Sequence, residues 1–224
     1  MRPFVFVNIA SSIDGKISNE KRIRLRISCD EDLKRVDKLR AESDAIMVGI
    51  GTVLADDPRL TVKSEELRAR RLAEGKSENP IRVVVDSKCR IPVNARILSD
   101  EARTIVAVSK SADKNRIDQI SKRAEVVIFG NDKVDLKALM RYLYEIGVQK
   151  LMVEGGGTLI NSLLREELVD EIYIYYAPII IGGEKSPTIC NGKSFENPIK
   201  LELVSIERLG EGLLMRWIVR YLSE

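Results

Sequence analysis

Short runs of β-branched and aliphatic residues recur along this chain with helix-periodic segments between them, and this rhythm constrains the architecture before any single residue is considered. The runs are Phe4 to Ala10, Ala45 to Val48, Ile81 to Asp86, Thr104 to Val108, Glu125 to Phe129 and Lys150 to Val153. Strands alternating with helices mark an α/β domain on a mostly parallel sheet, because parallel neighbours need a crossover between them. Leu33, Val36 and Leu39 repeat at helical spacing behind Ser28 and Glu31, a capping-box pair, which predicts a helix over Cys29 to Ala41. Further helices are expected over Lys114 to Lys122, over Leu136 to Ile146 with Gly147 as the stop, and over Thr158 to Arg165.

The C-terminal third has a different grammar. Ile172 to Ile181, Lys200 to Arg208 and Leu213 to Tyr221 read as strands, and no helix fits between the last two. Gly210-Glu211-Gly212 can reverse the chain there, so a C-terminal antiparallel hairpin is expected on an otherwise parallel sheet flanked by helices. Lys63 to Pro80 is dense in charge and reads as a solvated loop or short helix, with a linker as the rival reading. At 224 residues and 44% hydrophobic content the chain can bury a real core, and one domain over 1–224 is expected.

Composition removes several chemistries. The chain has no histidine, which takes away the usual general base of a Ser-His-Asp or Cys-His site and the commonest metal ligand. Cys29, Cys89 and Cys190 are odd in number and far apart, which argues against a disulfide framework and a zinc site, so no metal is expected. The 37 basic and 34 acidic side chains are interspersed and give only +3, which disfavours nucleic acid as a principal partner. No apolar stretch approaches the ~20 residues of a membrane span, and the apolar run after Arg2 is too short for a signal segment. No membrane partner and a cytoplasmic location are therefore expected.

Glycine turns carry the positive signal. The strand-like Leu151-Met152-Val153 runs through Glu154 into Gly155-Gly156-Gly157 and then the helix-like Thr158-Leu159-Ile160. Glycines permit positive φ and close approach, and the first N–H groups of a helix are unpaired donors, so a phosphate or pyrophosphate fits there, with a tight strand-to-helix turn without ligand as the rival reading. Ala45-Ile46-Met47-Val48 ends similarly at Gly49-Ile50-Gly51-Thr52, followed by Asp56-Asp57-Pro58. Two strands ending in glycine turns would present both at the carboxyl edge of a sheet, where α/β folds place ligands. Neither matches a Walker loop or the G-x-G-x-x-G fingerprint. For Asp56 and Asp57 a helix end before Pro58 and a ligand contact both stay open. Gly182-Gly183 reads as a plain turn, and Asp14-Gly15 as turn chemistry after the first strand.

Taken in order, Ala10-Ser11-Ser12-Ile13-Asp14-Gly15-Lys16, Val48 to Val53, Asp56 to Thr61, Val83 to Ser87, Val153 to Leu159 and Ala177 to Gly183 resemble the reductase family of riboflavin biosynthesis. The resemblance spans nearly the whole chain. It implies a dihydrofolate-reductase-like fold, a homodimer, and NADPH as hydride donor with NADH as a possible substitute. The implied reaction reduces the ribosyl group of a phosphorylated pyrimidine ribosylamine to ribityl. It also implies that Ala10, Thr52, Asp56, Ser87 and Gly156, Gly157, Thr158 and Leu159 contact the cofactor, and that Arg40, Leu60, Lys63 and Glu154 face the substrate. Lys63 stands where bacterial relatives commonly carry arginine, so its phosphate contact would be a point charge rather than a fork. Arg26 stands where they tend to have tryptophan, and no cofactor role is carried to it.

Bacterial bifunctional relatives add a zinc deaminase with a Cys-x-x-Cys pair, which this sequence lacks. The stand-alone type is therefore expected, acting on 2,5-diamino-6-ribosylamino-4(3H)-pyrimidinone 5′-phosphate. Asp56, beside the cofactor turn, is the candidate catalytic residue for proton transfer near the sugar, with a bound water as the alternative. The rivals stay open: reduction of the deaminated uracil compound or another dihydrofolate-reductase-like activity, and a nucleotide-binding protein without turnover.

Overall fold

A computed structural model describes residues 1–23 and 25–221, so the last three residues of the expected domain lie outside the described part. The chain divides into two compact units, one made of 1–3 and 37–152, the other of 4–36 and 153–224. Helix α1 (Asp30–Glu42) and strand β6 (Lys150–Val153) each begin in one unit and end in the other.

The first unit contains β2 (Ala45–Gly49), α2 (Ile50–Asp56), α3 (Glu65–Ala73), β3 (Ile81–Val85), β4 (Thr104–Val108), α4 (Lys114–Ile120), β5 (Glu125–Ile128), α5 (Leu136–Glu145) and most of β6. Its strand order is β5-β4-β3-β2-β6. The pairs β2–β3, β3–β4 and β4–β5 are parallel, with Gly49 opposite Val85, Val85 opposite Ala107 and Val108 opposite Ile128. Ile46, Met47, Val48, Val83, Val84 and Ile105 are wholly buried, as expected of inner parallel strands covered on both faces. Helix α5 buries Leu136, Leu139, Met140 and Leu143, the i, i+3, i+4, i+7 stripe that turns one helix face to a core.

The second unit carries β1 (Phe4–Ser12), the first half of α1, α6 (Gly157–Arg165), β7 (Glu171–Ala177), β8 (Lys200–Leu209) and β9 (Gly212–Arg220), with strand order β1-β7-β9-β8. Strands β1 and β7 are parallel, while β7–β9 and β9–β8 are antiparallel. The mixed, mostly parallel arrangement with a C-terminal hairpin is thus present.

Several expectations need correction. Strand β7 ends at Ala177 rather than Ile181, because Pro178 has no N–H to continue a ladder. Strand β1 runs two residues further than expected, to Ser12. The capping box at Ser28 is replaced one residue later: Cys29 precedes the helix, and its Sγ accepts from Asp32 N at 3.4 Å. The hairpin turn is Gly210-Glu211 alone, since Gly212 already pairs with Leu209. A Cβ on Gly212 would stand 2.5 Å from the Tyr175 hydroxyl, so packing rather than turn geometry requires that glycine. The charged 63–80 segment contains the nine-residue helix α3, capped by Ser64, whose hydroxyl accepts from Leu67 N.

Candidate active site

In the first unit, the parallel register brings the ends of β2, β3, β4 and β5 to one edge of the sheet. That is the edge where ligands collect in α/β folds. The segment after β2 is not a glycine turn. It is helix α2, with Gly49 at the N-cap and Gly51 inside the helix, which corrects the reading of Gly49-Ile50-Gly51-Thr52 as a loop. Thr52 and Asp56 are four residues apart on α2 and both half-buried, so they lie on one helix face. Asp57 ends the helix in the left-handed region (φ 40°, ψ 59°), and its carboxylate accepts from Arg96 N at 2.8 Å.

Ser87 follows β3 at the same edge. Its hydroxyl accepts from Val134 N at 3.1 Å, and its carbonyl accepts from the Ser109 hydroxyl at 2.8 Å. The neighbouring donors are linked: the Lys88 ammonium donates to Ser111 Oγ at 2.8 Å, and Ser111 and Ser109 share a 2.8 Å hydroxyl contact. Asp86, the carboxylate at the strand end, is turned away from this group. It is wholly buried, accepts from Ile91 N at 2.8 Å, and burial pushes its pKa up. Cations surround the 86–91 turn, with Arg90 Nε 3.7 Å from Asp86 and Arg116 donating to Cys89 O and Ile91 O.

Three of the four residues expected to face substrate also come together in this unit. Arg40, in the last turn of α1, donates to Thr61 O at 3.1 Å. Asp37, one turn earlier, accepts from Lys63 N at 2.7 Å and from Ser64 N at 2.9 Å. Arg40 and Asp37 therefore hold the segment that carries Leu60 and Lys63 against α1. The Lys63 side chain is exposed, but Leu60 is buried with φ 50°, so only its backbone is offered to a ligand. The segment is supported from beneath by Arg82, a wholly buried arginine in β3. Arg82 donates to Arg59 O, Ser99 Oγ and Thr104 Oγ1, and burial pulls its pKa down to about 10.

The second unit holds the rest. Ala10 lies on β1 opposite Tyr175, two residues beyond Asn8 on the same strand face. Asn8 Oδ1 accepts from Arg35 at 2.6 Å, and Arg35 in turn is bound to Asp32 at 2.7 Å. The glycine run behaves as its sequence suggests. Gly155 takes φ 100°, the Gly155–Gly156 peptide is cis, Gly156 is the extended N-cap, and α6 begins at Gly157. Thr158 is exposed, Gly156 and Glu154 are half-buried, and Gly157 and Leu159 are buried. Leu159 N donates to Gly156 O at 3.0 Å, so the outward donors of this first turn are the N–H groups of Gly157 and Thr158.

Sequence reasoning missed Asp37, Arg82, Asn191 and the role of Asp14. In the sequence Asp14 reads as half of a turn. Its carboxylate accepts from the Ser12 hydroxyl at 2.6 Å, from Ile181 N at 3.1 Å and from Gly182 N at 2.8 Å, and these donors, the hydroxyl first, hold its pKa down to about 2. The hint in the sequence is that both turns, Asp14-Gly15 and Gly182-Gly183, fall within motifs of the family resemblance.

In the first unit the donors at the strand ends, and in the second unit the first turn of α6, each suit a phosphate group. A reductase from Archaeoglobus fulgidus, named 2,5-diamino-6-ribosylamino-4(3H)-pyrimidinone 5′-phosphate reductase, is 64% identical over 212 residues, 95% of this chain and 96% of its own. A pyrimidine reductase-like protein from Corynebacterium diphtheriae has the same fold, with a TM-score of 0.87 at 20% identity over 98% of this chain and 92% of its own. Dihydrofolate reductase from Enterococcus faecalis, 12% identical, matches at a TM-score of 0.50 over 97% of each chain, which makes the fold dihydrofolate-reductase-like. Residues 3–215 match the sequence profile of the RibD C-terminal domain, and on that span the chain belongs to the RibD C-terminal domain family of riboflavin-pathway reductases.

Proposed function

We propose that this protein is an NADPH-dependent reductase that converts the ribosyl group of 2,5-diamino-6-ribosylamino-4(3H)-pyrimidinone 5′-phosphate to ribityl, with residues 1–224 acting as one reductase domain. The observation that carries the reaction is the 64% identity to the Archaeoglobus enzyme across nearly the full length of both chains. Carrying the substrate over from that relative makes the non-deaminated pyrimidine the preferred one.

The roles we assign carry over the family resemblance, and the local geometry supports them. Gly156, Gly157 and Thr158 hold cofactor phosphate with first-turn N–H groups and a hydroxyl. Leu159 contributes packing beneath them, and Ala10, Thr52, Asp56 and Ser87 complete the cofactor contacts. Arg40 and Lys63 pair with the substrate phosphate, Leu60 offers backbone, and Glu154 accepts from substrate hydroxyl or amino groups. When bound, the nicotinamide supplies the hydride. The protein's own part is to align the sugar C1′ with it, an orientation effect worth ~7–11 kcal/mol in favourable cases. Asp56 is the catalytic residue that handles the proton at the sugar.

NADPH is preferred over NADH in this reading. The donors beside Ser87 are an ammonium and hydroxyls, and the carboxylate that would read a ribose diol, Asp86, is buried. The enzyme works as a homodimer. A bulge at Val204 keeps Leu201, Leu203 and Ile206 on one face of the edge strand β8, and they are 41%, 45% and 52% exposed beside Trp217 and Met215 of β9. A second copy covers that stripe. Because a phosphorylated substrate does not cross a bilayer unaided, the reading places the enzyme in the cytoplasm; among the described residues no helix is long and apolar enough to cross a membrane.

The test is loss of NADPH absorbance with each pyrimidine phosphate. Faster oxidation with the diamino compound is expected. Preference for the uracil compound would reverse the substrate order, and no oxidation with either would leave a nucleotide-binding protein. Normal turnover in folded Asp56→Asn would remove the proton-transfer role.

A further inference from the structure

The glycine run at α6 is held in place from outside its own element. Asn191 N donates to Gly157 O at 3.1 Å, and Asn191 Oδ1 accepts from Thr188 N at 2.7 Å. The fit against Gly157 is tight: a Cβ there would stand 2.6 Å from Asn191 Oδ1 and 3.0 Å from Asn191 N, and would also press on Thr188 O. The loop that supplies Thr188 and Asn191 begins after β7 and is fastened along its length to the turn that follows β1. Ile13 N donates to Ile179 O at 2.9 Å, Ile17 N donates to Pro187 O at 2.9 Å, and Lys16 forms a bridge with Thr188. Asp14 ties the two most firmly, through the Ile181 and Gly182 N–H groups, while Ser12 Oγ closes its own turn by accepting from Lys16 N at 2.9 Å.

We propose that residues 178–191 form a strap linking the end of β1 to the α6 glycine run, and that Asp14 and Asn191 are positioning residues that hold Gly156, Gly157 and Thr158 ready for the cofactor phosphate. The proposal rests on the reading that those residues bind NADPH. A loop fixed beforehand spares the ligand the cost of ordering it. Because Asp14 is held ionised down to about pH 2, the strap stays fastened across the physiological range. Asp14 touches neither cofactor nor substrate in this scheme; it acts through the loop.

The experiment is steady-state kinetics of the full chain with NADPH varied and the pyrimidine phosphate saturating, alongside NADPH titration by fluorescence and thermal unfolding. Asp14→Asn replaces an acceptor with a donor facing N–H groups, and Asn191→Ala removes the acceptor for Thr188 N. In each the NADPH KM is expected to rise about tenfold, the loss of roughly one charge-assisted or buried hydrogen bond. The kcat and the substrate KM should stay within about twofold, since about 0.4 kcal/mol separates rates differing by that factor. Asn191→Asp keeps the acceptor and should restore the wild-type KM. A general loss of packing would lower the unfolding midpoint without separating NADPH KM from kcat, and that result counts against the proposal. Wild-type turnover with unchanged NADPH KM in both folded variants overturns the strap alone. A wild-type chain that neither binds nor oxidises NADPH overturns the cofactor reading and the strap's role with it.

Discussion

Two segments of this protein share one sequence grammar, an aliphatic strand running into glycines and then into apolar residues, yet they fold differently. After β2 the glycines sit at the N-cap and inside helix α2, and Gly51 is exposed with open space where a Cβ would be. Before α6 the glycines form the turn itself, with Gly155 at φ 100° and Gly157 pressed against Thr188 and Asn191. One glycine is there by permission and the other by necessity. The difference lies in what packs against each, since the strand leading in is equally buried in both cases.

Each segment also has a carboxylate that fastens a neighbouring loop. In the first unit Asp37 accepts from Lys63 N and Ser64 N; in the second Asp14 accepts from Ile181 N and Gly182 N. Asp37 is buried on a helix, whereas Asp14 is exposed in a turn. Removing the buried one should therefore cost more, because its N–H partners have less access to water.

These contrasts can be broken in order of size. Gly157→Ala forces a methyl group into the Asn191 contact, and overpacking of that kind costs about 1–3 kcal/mol. Urea unfolding should show the loss together with weakened NADPH binding, and a neutral result would mean the loop yields freely. Asp37→Ala leaves two N–H groups without their acceptor, at about 2 kcal/mol. Its substrate KM should rise while its NADPH KM stays level, and equal rises in both would detach Asp37 from the substrate segment. Gly51→Ala should do the opposite of Gly157→Ala, stabilising by about 0.5–1 kcal/mol because alanine suits a helix interior better than glycine. A lower midpoint there would show that something packs on Gly51 after all.

The smallest effect is one of pH. Asp14 has its carboxyl lowered from 3.8 to about 2 on folding, so it contributes stability while ionised in both states and loses that contribution as pH falls from about 4 to about 2. Acid unfolding of Asp14→Asn should therefore differ from wild type by a constant amount above about pH 4, with the gap narrowing below it. A gap that is unchanged down to pH 2 would contradict the depressed pKa.

Secondary structure was legible because it depends on local chemistry. Thr104–Val108 and Lys150–Val153 were read to the residue, and Gly147 stops α5 as expected, with φ 96°. The turn of the C-terminal hairpin was also placed closely. The misreadings share a cause. Glycine marks turns on average, so Gly49-Ile50-Gly51 reads as a turn, whereas α2 forms there; Cys29 takes the place of Ser28 before α1 because thiols are seldom counted as cap acceptors.

By itself the sequence determined the order of the strands and of the longer helices, the absence of histidine chemistry, and the family to which the motifs belong, since all of these reside in residue types and their spacing. It also named the residues proposed to meet cofactor and substrate. Tertiary structure alone decided which of them have usable side chains: Leu60 and Leu159 are buried, whereas Lys63 and Thr158 reach solvent. Tertiary structure also revealed Asp37, Asp14, Arg82 and Asn191, each of which has a partner far away in sequence: Lys63 for Asp37, Gly182 for Asp14, Ser99 for Arg82 and Gly157 for Asn191. A hydrogen bond between distant segments leaves no periodicity behind, so only the folded chain could show it.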